Sequence, residues 1–280
     1  MTTPVSLSRG TVLRHGYEIA GILGRGGQGI VYLAAHHAHD GRKLVALKVA
    51  DPVFLKREYT LLAPLRHPGI PRVYDLFEED GACYLAHAVI HGPGSLREWQ
   101  AAWHGPPPAS SILQIGMQIC LILGYLHARR IIHCDLKPDN ILLTRAGSLA
   151  LIDFGLAQKE DTPLPHVHGT PGYMAPEYER QGIVSPQTDL YSLGATFHDL
   201  LTGHAPEKGY RPSLVRIFSD PLASVLVRLL SYDPARRPAS AAEAYTLLLK
   251  SWERSATGRR RREGLSQGVA RILGACALCR

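Results

Sequence analysis

Two rhythms of hydrophobic positions divide the chain. Between residues 17 and 90 the apolar stretches are short and rich in β-branched and aromatic residues, as in "YEIAGIL", "GIVYLAAH", "KLVALKVA" and "CYLAHAVI", with turn-forming pieces between them. Such runs predict the strands of a small antiparallel sheet. One stretch, "LKREYTLLAPL", has helical spacing and ends before His67 and Pro68. From residue 95 onward the pattern is mainly helical. "SILQIGMQICLILGYLHARR" is apolar nearly all round, which predicts a buried helix. Two brief runs, "NILLT" and "LALID", joined by the turn "RAGS", predict a hairpin. Further helices are predicted at "TDLYSLGATFHDLLTG", "PLASVLVRLLS" and "SAAEAYTLLLKSWER". "HGPPPAS" (104–110) reads as a connecting loop, and there is no internal repeat.

Composition narrows the class of protein. With 280 residues, 45% of them hydrophobic, the chain can bury a core as one large domain or as two lobes sharing a cleft. The formal charge is +7, but much of the excess sits in "GRRRRE" (258–263), so no nucleic-acid partner is expected. The five cysteines, Cys83, Cys120, Cys134, Cys276 and Cys279, are odd in number and lack the spacing of a disulfide framework, which points to a reducing cytoplasm. "MTTPVSLSRG" has no apolar core of a signal peptide, and no uninterrupted run of about 18 apolar residues predicts a membrane span.

The chemistry-bearing residues are concentrated in a few stretches. "LGRGGQGIVYLA" holds Gly24, Gly26 and Gly29 in a G-x-G-x-x-G array followed by a strand rather than a helix. That context suits a strand-turn-strand flap whose backbone must approach phosphates closely, although taken alone the array is more simply a glycine-rich hairpin. "VALK" sets Lys48 among apolar strand neighbours, and Glu58 on the following helix is a candidate to neutralise it. "IIHCDLKPDN" (131–140) packs a histidine, a thiol, two carboxylates, a lysine and a carboxamide together, so metal, thiol and phosphate chemistry all have to be weighed. The predicted hairpin brings "DFG" (Asp153 to Gly155) back towards Asn140, and the amide of Asn140 with the carboxylate of Asp153 makes a pair of hard oxygen ligands suited to magnesium bound with nucleotide phosphates. Asp135 is left to accept a proton. His133 and Cys134 are adjacent with no second pair nearby, which leaves a zinc site incomplete.

In order along residues 17 to 250, "GRGGQGIV", "VALK", Glu58 in "KREY", "HCDLKPDN", "DFG", "GTPGYMAPE", "TDLYSLG" and "DPARRP" resemble the eukaryotic-type (Hanks-type) protein kinase family. "HGTPGYMAPE" and the compact length are most similar to bacterial serine/threonine members. The resemblance implies an α+β bilobal fold, with a small antiparallel-sheet N-lobe carrying one helix (17–90) and a larger, mainly helical C-lobe (91–254). An N-terminal extension (1–16) would precede it and a basic tail (255–280) follow it.

The resemblance also implies roles. The glycine flap covers the phosphates of ATP, and Lys48, held by Glu58, contacts the α- and β-phosphates. Asn140 and Asp153 hold magnesium, with manganese as an alternative. Asp135 orients the acceptor hydroxyl and takes its proton, Lys137 faces the γ-phosphate, and Thr170 braces both. Leu23, Val31, Ala46 and Leu142 line the adenine slot, the backbone from Ala88 to Ile90 reads its edge, and His87 stands at its back. Glu177 with Arg237, and Asp189, are scaffold. The implied partners are proteins with Ser or Thr acceptors. A nucleotide-binding scaffold without activity and a small-molecule kinase are the alternatives, against which stand the complete set Lys48, Glu58, Asp135, Asn140 and Asp153 and the segment "GTPGYMAPE".

One departure stands out. Most relatives place arginine before the catalytic aspartate, to pair with a phosphorylated residue of the activation loop. Cys134 offers neither the charge nor the fork of donors. Apart from Thr170 the loop from Asp153 to Glu177 has only Thr162 as a Ser or Thr, so activity independent of loop phosphorylation is expected. In the tail, four arginines adjoin a segment with apolar residues Leu265, Val269, Ile272, Leu273 and Ala277. That pattern fits either an anionic membrane surface or docking on the kinase body. Cys276 and Cys279 supply two ligands where closed zinc sites need four.

Overall fold

Five strands, β1 (Tyr17–Gly26), β2 (Gly29–Ala38), β3 (Gly41–Ala50), β4 (Val73–Glu79) and β5 (Ala82–Ala88), pair antiparallel in the order β1-β2-β3-β5-β4. They belong to the first of two compact units, Met1–Ile90 and His91–Arg280. The computed structural model describes residues 6–27, 29–38, 41–160, 162, 167–207 and 220–255. The basic tail with Cys276 and Cys279 lies outside the described residues.

The two-residue period of β3 decides what each face of the sheet does. Val45, Leu47 and Val49 point into a core with Ile30, Tyr32 and Ala34 of β2, Tyr17 and Ile19 of β1, and Tyr84 of β5. Phe77 of β4 stacks between Tyr17 and Tyr84, with ring centroids 5.3 and 5.0 Å apart. Ala46 and Lys48 therefore fall on the other face, opposite His87 and Leu85 of β5. Helix α1 (Pro52–Leu62) follows, and it begins three residues before the predicted stretch. Asp51 caps it by accepting from the Val53 amide, and Pro52 occupies the first turn, where its missing N–H costs nothing.

Two features of this unit were not anticipated from the pattern. Strand β4 was missed because Asp75, Glu78 and Glu79 interrupt its apolar alternation; it is an edge strand with a register shift between Val73 and Asp75. Its buried Glu79 accepts the Arg14 amide at 2.8 and 3.0 Å. Residues before Tyr17, expected to be an extension, instead build onto the sheet: Gly10 and Thr11 bond Ile19, Leu13 bonds Tyr17, and the Leu13 side chain joins the core. An otherwise open strand edge is thereby partnered.

The second unit contains β6 (Gly94–Ser95), α2 (Leu96–Ala101), α3 (Ala109–His127), β7 (Ile131–Ile132), β8 (Ile141–Leu143), β9 (Leu149–Leu151), β10 (Gln158–Lys159), α4 (Pro176–Gln181), α5 (Pro186–Thr202), α6 (Asp220–Leu229) and α7 (Ala241–Arg254). The short α2 and α4 went unpredicted because six residues carry too little periodicity; a Ser95–Glu98 capping box starts α2 and left-handed Gly182 ends α4. Helix α3 is long and apolar enough to cross a membrane by composition, but just over half of it is buried inside the unit, as for a core helix. The predicted hairpin forms between β8 and β9, with Ile141 opposite Leu151, and the Ile152 amide bonds the Asn140 carbonyl at 3.0 Å. That bond sets the residue before Asp153 beside Asn140.

Glycine permits the close approach of α3 and α5. A Cβ on Gly116 would lie 2.2 Å from Phe197 Cζ. In an open helix, alanine in place of glycine gains about 1 kcal/mol. Overpacking costs about 1–3 kcal/mol. The balance predicts that Gly116→Ala lowers the urea midpoint of unfolding; a raised midpoint would show that the two helices have room to separate.

Candidate active site

Each unit carries its own polar array. In the first, Lys48 and Glu58 are 4% and 2% exposed, and Lys48 Nζ donates to Glu58 Oε2 at 2.7 Å. Either charge alone at such burial would cost several kcal/mol, so the pair is held together by desolvation as much as by attraction. The β1–β2 hairpin closes with Gly26 opposite Gly29. Gly29, at φ +142°, is demanded by the fold itself, because a Cβ there would sit 2.0 Å from the Val49 carbonyl oxygen. Gly24 and Gly26 are different: a Cβ on either meets nothing within 4 Å. Internal packing does not call for them, which fits a backbone kept bare for a partner from outside the unit.

The residues expected around adenine divide between the units. Ala46 is buried, Val31, Ala88 and Ile90 are partly buried, and Leu23 is 50% exposed, all in the first unit. Leu142 lies on β8 in the second, opposite Ala150. Ala88 commits its N–H to the Arg72 carbonyl at 2.8 Å, so of the Ala88 to Ile90 backbone this donor is already used. His87 Nδ1 lies 3.3 Å from the Ala88 carbonyl oxygen.

In the second unit the loop after β7 is fixed from below by Asp189 of α5. The His133 and Cys134 amides each donate to its carboxylate at 3.0 Å, and His127 Nε2 lies 2.8 Å away. Cys134 sits at φ +65° and Arg130 at +57°, conformations that L residues hold only when the surroundings impose them. The Cys134 side chain is buried, 3.6 Å from the Ile132 carbonyl oxygen. His133 reaches Ile152 O at 3.2 Å and meets the Phe154 ring edge-on at 4.7 Å. Asp153, the next residue after Ile152, is also left-handed at φ +61°.

This frame aims Asp135, itself 2% exposed. Thr170 Oγ1 donates to Asp135 Oδ1 at 2.7 Å, and Lys137 Nζ and Asn140 Nδ2 donate to Oδ2 at 2.9 Å each. Lys137 Nζ also donates to Thr170 Oγ1 at 2.6 Å, and Asn140 Nδ2 to the Asp135 carbonyl at 2.8 Å. With its amide nitrogen spent in this way, Asn140 retains its side-chain carbonyl oxygen as a hard donor, and Asp153 follows Ile152, whose amide bonds the Asn140 main-chain carbonyl. Among the described residues no group of three or more His, Cys, Asp or Glu forms a metal cage; a cation that arrives with phosphates requires none. Thr170 is held in turn by its segment: Arg237 forks onto Glu177 at 2.7 and 2.8 Å, and Tyr178 donates to His168 O at 2.8 Å. His127 is a member of the frame that the pattern did not single out. As the last residue of α3, it carries no local mark of pairing with a carboxylate 62 positions away.

Fold and arrays together are those of a protein kinase domain. A family model described as "Protein kinase domain" matches residues 17–252. The chain is 34% identical over 206 residues to the serine/threonine-protein kinase PrkC of Bacillus subtilis, covering 69% of this chain and 31% of that protein. With the serine/threonine-protein kinase PknB of Mycobacterium leprae it shares 31% over 282 residues, covering 89% of this chain and 44% of that one. The chain thus spans less than half the length of either relative. Among solved structures, the PknI kinase domain of Mycobacterium tuberculosis superposes with a TM-score of 0.70 at 28% identity, covering 88% of this chain and all of that one. The chain belongs to the eukaryotic-type serine/threonine protein kinase family, and these bacterial proteins are among its relatives.

The buried Asp189 carries a pH signature. Burial pushes its carboxyl up, but the hydrogen bond and charge of His127 and the His133 amide outweigh this and hold it below the usual range. A carboxyl depressed on folding stabilises above its unfolded value, near 4, and that contribution fades as the pH falls through the folded value. Asp189→Asn is expected to cost about 3–5 kcal/mol at pH 7. In denaturant melts the gap from the parent should narrow below about pH 4; a gap independent of pH would contradict this role.

Proposed function

We propose that the chain transfers the γ-phosphoryl group of ATP to serine or threonine hydroxyls of protein substrates. The observation that carries this reading is the buried Asp135 carboxylate, fixed at once by Thr170, Lys137 and Asn140. A carboxylate held in one orientation can accept the proton of an incoming hydroxyl as it attacks phosphorus. Lys137, already beside Asp135, supplies positive charge where the transferred group gathers negative charge. Lys48 is aimed by Glu58, ready for the α- and β-phosphate oxygens. Asn140 and Asp153 would hold magnesium, which when bound neutralises phosphate charge. Choice of Ser or Thr over Tyr is supported by Lys137 with its Thr170 brace, and by relatives named as serine/threonine kinases.

Activity independent of loop phosphorylation is part of the proposal. The residue before Asp135 is a buried cysteine, bonded through its backbone to Asp189, whose side chain supplies no cationic group of its own for a phosphate. Strand β10 instead ties the start of the loop to β7, and Glu160 reaches Arg130 both by its amide and by an ion pair at 3.4 Å.

Two outcomes test the proposal with labelled ATP, magnesium and a generic basic protein. Asp135→Asn should lower phosphate transfer about 10²- to 10⁴-fold; a loss smaller than that would remove Asp135 from its role. Thr162→Ala should keep most of the parent rate. Near-complete loss would mean that the loop needs its phosphate after all.

A further inference from the structure

Helix α2 carries a polar cluster for which the phosphoryl-transfer array has no use. Arg97 grips the Asp199 carboxylate of α5 with both ends of its guanidinium, Nη1 to Oδ1 at 2.9 Å and Nη2 to Oδ2 at 2.6 Å. Nη2 also reaches the Tyr173 hydroxyl at 3.0 Å and Asp139 Oδ2 at 3.3 Å, while Nη1 donates to Gln100 Oε1 at 3.0 Å. The Tyr173 hydroxyl donates to Asp199 as well. Asp199 is wholly buried, but the side chains of Arg97 and Asp139 are 36% and 50% exposed, so the cluster has an open edge. Burial pushes the Asp199 carboxyl up, and the bonds from Arg97 and Tyr173 more than reverse this. The cluster also adjoins the site. Asp139 immediately precedes Asn140, and the Tyr173 amide bonds the Thr170 carbonyl at 3.1 Å.

We propose that Arg97 is a specificity-determining residue: its guanidinium fills, from within the chain, an acidic subsite that Asp199, Asp139 and Tyr173 would otherwise present to a basic residue of the acceptor peptide. The inference rests on the protein kinase reading, since it takes the peptide to run along the segment that bears Thr170 and Tyr173. Two carboxylates and a phenol arranged around one planar fork are matched to a guanidinium and poorly to a point charge. In the parent chain Arg97 already engages both carboxylates, so an arginine in the peptide has to compete with it there. Shortening Arg97 to alanine vacates the guanidinium's place, leaves Asp199 without its counter-charge and opens the subsite to a guanidinium from outside.

Two measurements on the full chain test this. The first compares kcat/KM for acceptor peptides in which a single arginine or alanine is scanned through the flanking positions. The parent should show arginine-to-alanine ratios within about threefold, whereas Arg97→Ala should gain about tenfold or more for arginine at one position. Ratios equally flat in the variant overturn the proposal. The second needs no catalysis: millimolar ethylguanidinium should raise the Tm of Arg97→Ala by about 2 °C or more and leave the parent unmoved, with ethylammonium weaker. No shift overturns the subsite. A shift in the variant beside a parent that phosphorylates no peptide supports the subsite and counts against the kinase reading instead.

Discussion

The second unit is organised around a carboxylate that never meets solvent. Asp189, fully buried on α5, receives two consecutive backbone amides and an imidazole, and through them fixes the turn that carries His133 and Cys134. A left-handed residue such as Cys134 would relax elsewhere in a loop. Here the two amide bonds hold it, and the direction of Asp135 follows. His133 extends the same constraint to Ile152 and Phe154, so the loop and the start of the activation segment are set by one frame. The strain of the left-handed turn is maintained because releasing it would strand a buried charge.

In the first unit the corresponding constraint is the pairing of Lys48 with Glu58. Lys48 lies on the sheet face away from the aromatic core and Glu58 on α1, and neither tolerates burial alone. Their 2.7 Å contact joins β3 to α1 and gives the lysine one orientation. In both units, then, a buried charge is stabilised by partners that also aim a reactive group. Stability and chemistry are thereby linked, and residues such as Asp189 and Glu58 can affect activity without touching a substrate.

Much of this was legible in the sequence because the chemistry demands short, ordered motifs. Asp135, Lys137 and Asn140 lie within six positions, and the turn "RAGS" announces the hairpin that returns the chain to Asp153. What escaped notice depends on long-range pairing. The acidic residues of β4 read as loop until Glu79 is seen to accept the Arg14 amide, and residues 10 to 13 have no strand pattern until they meet β1. Arg97 and Asp199 are 102 positions apart, on a helix too short to declare itself and at a position of α5 that looks like any other polar site. No local periodicity encodes such a pair. The missing arginine before Asp135 was visible at once, whereas the β7–β10 pairing that tethers the loop start was not.

The proposed phosphoryl transfer requires Lys48 and the Asn140–Asp153 pair to act on one nucleotide. Calorimetric titration of ATP with magnesium tests it most directly, in the parent chain and in Lys48→Met and Asp153→Asn. The account predicts a single 1:1 binding event in the parent that both substitutions weaken. A parent that gives no binding heat, or an affinity that one of the two substitutions leaves untouched, would contradict it.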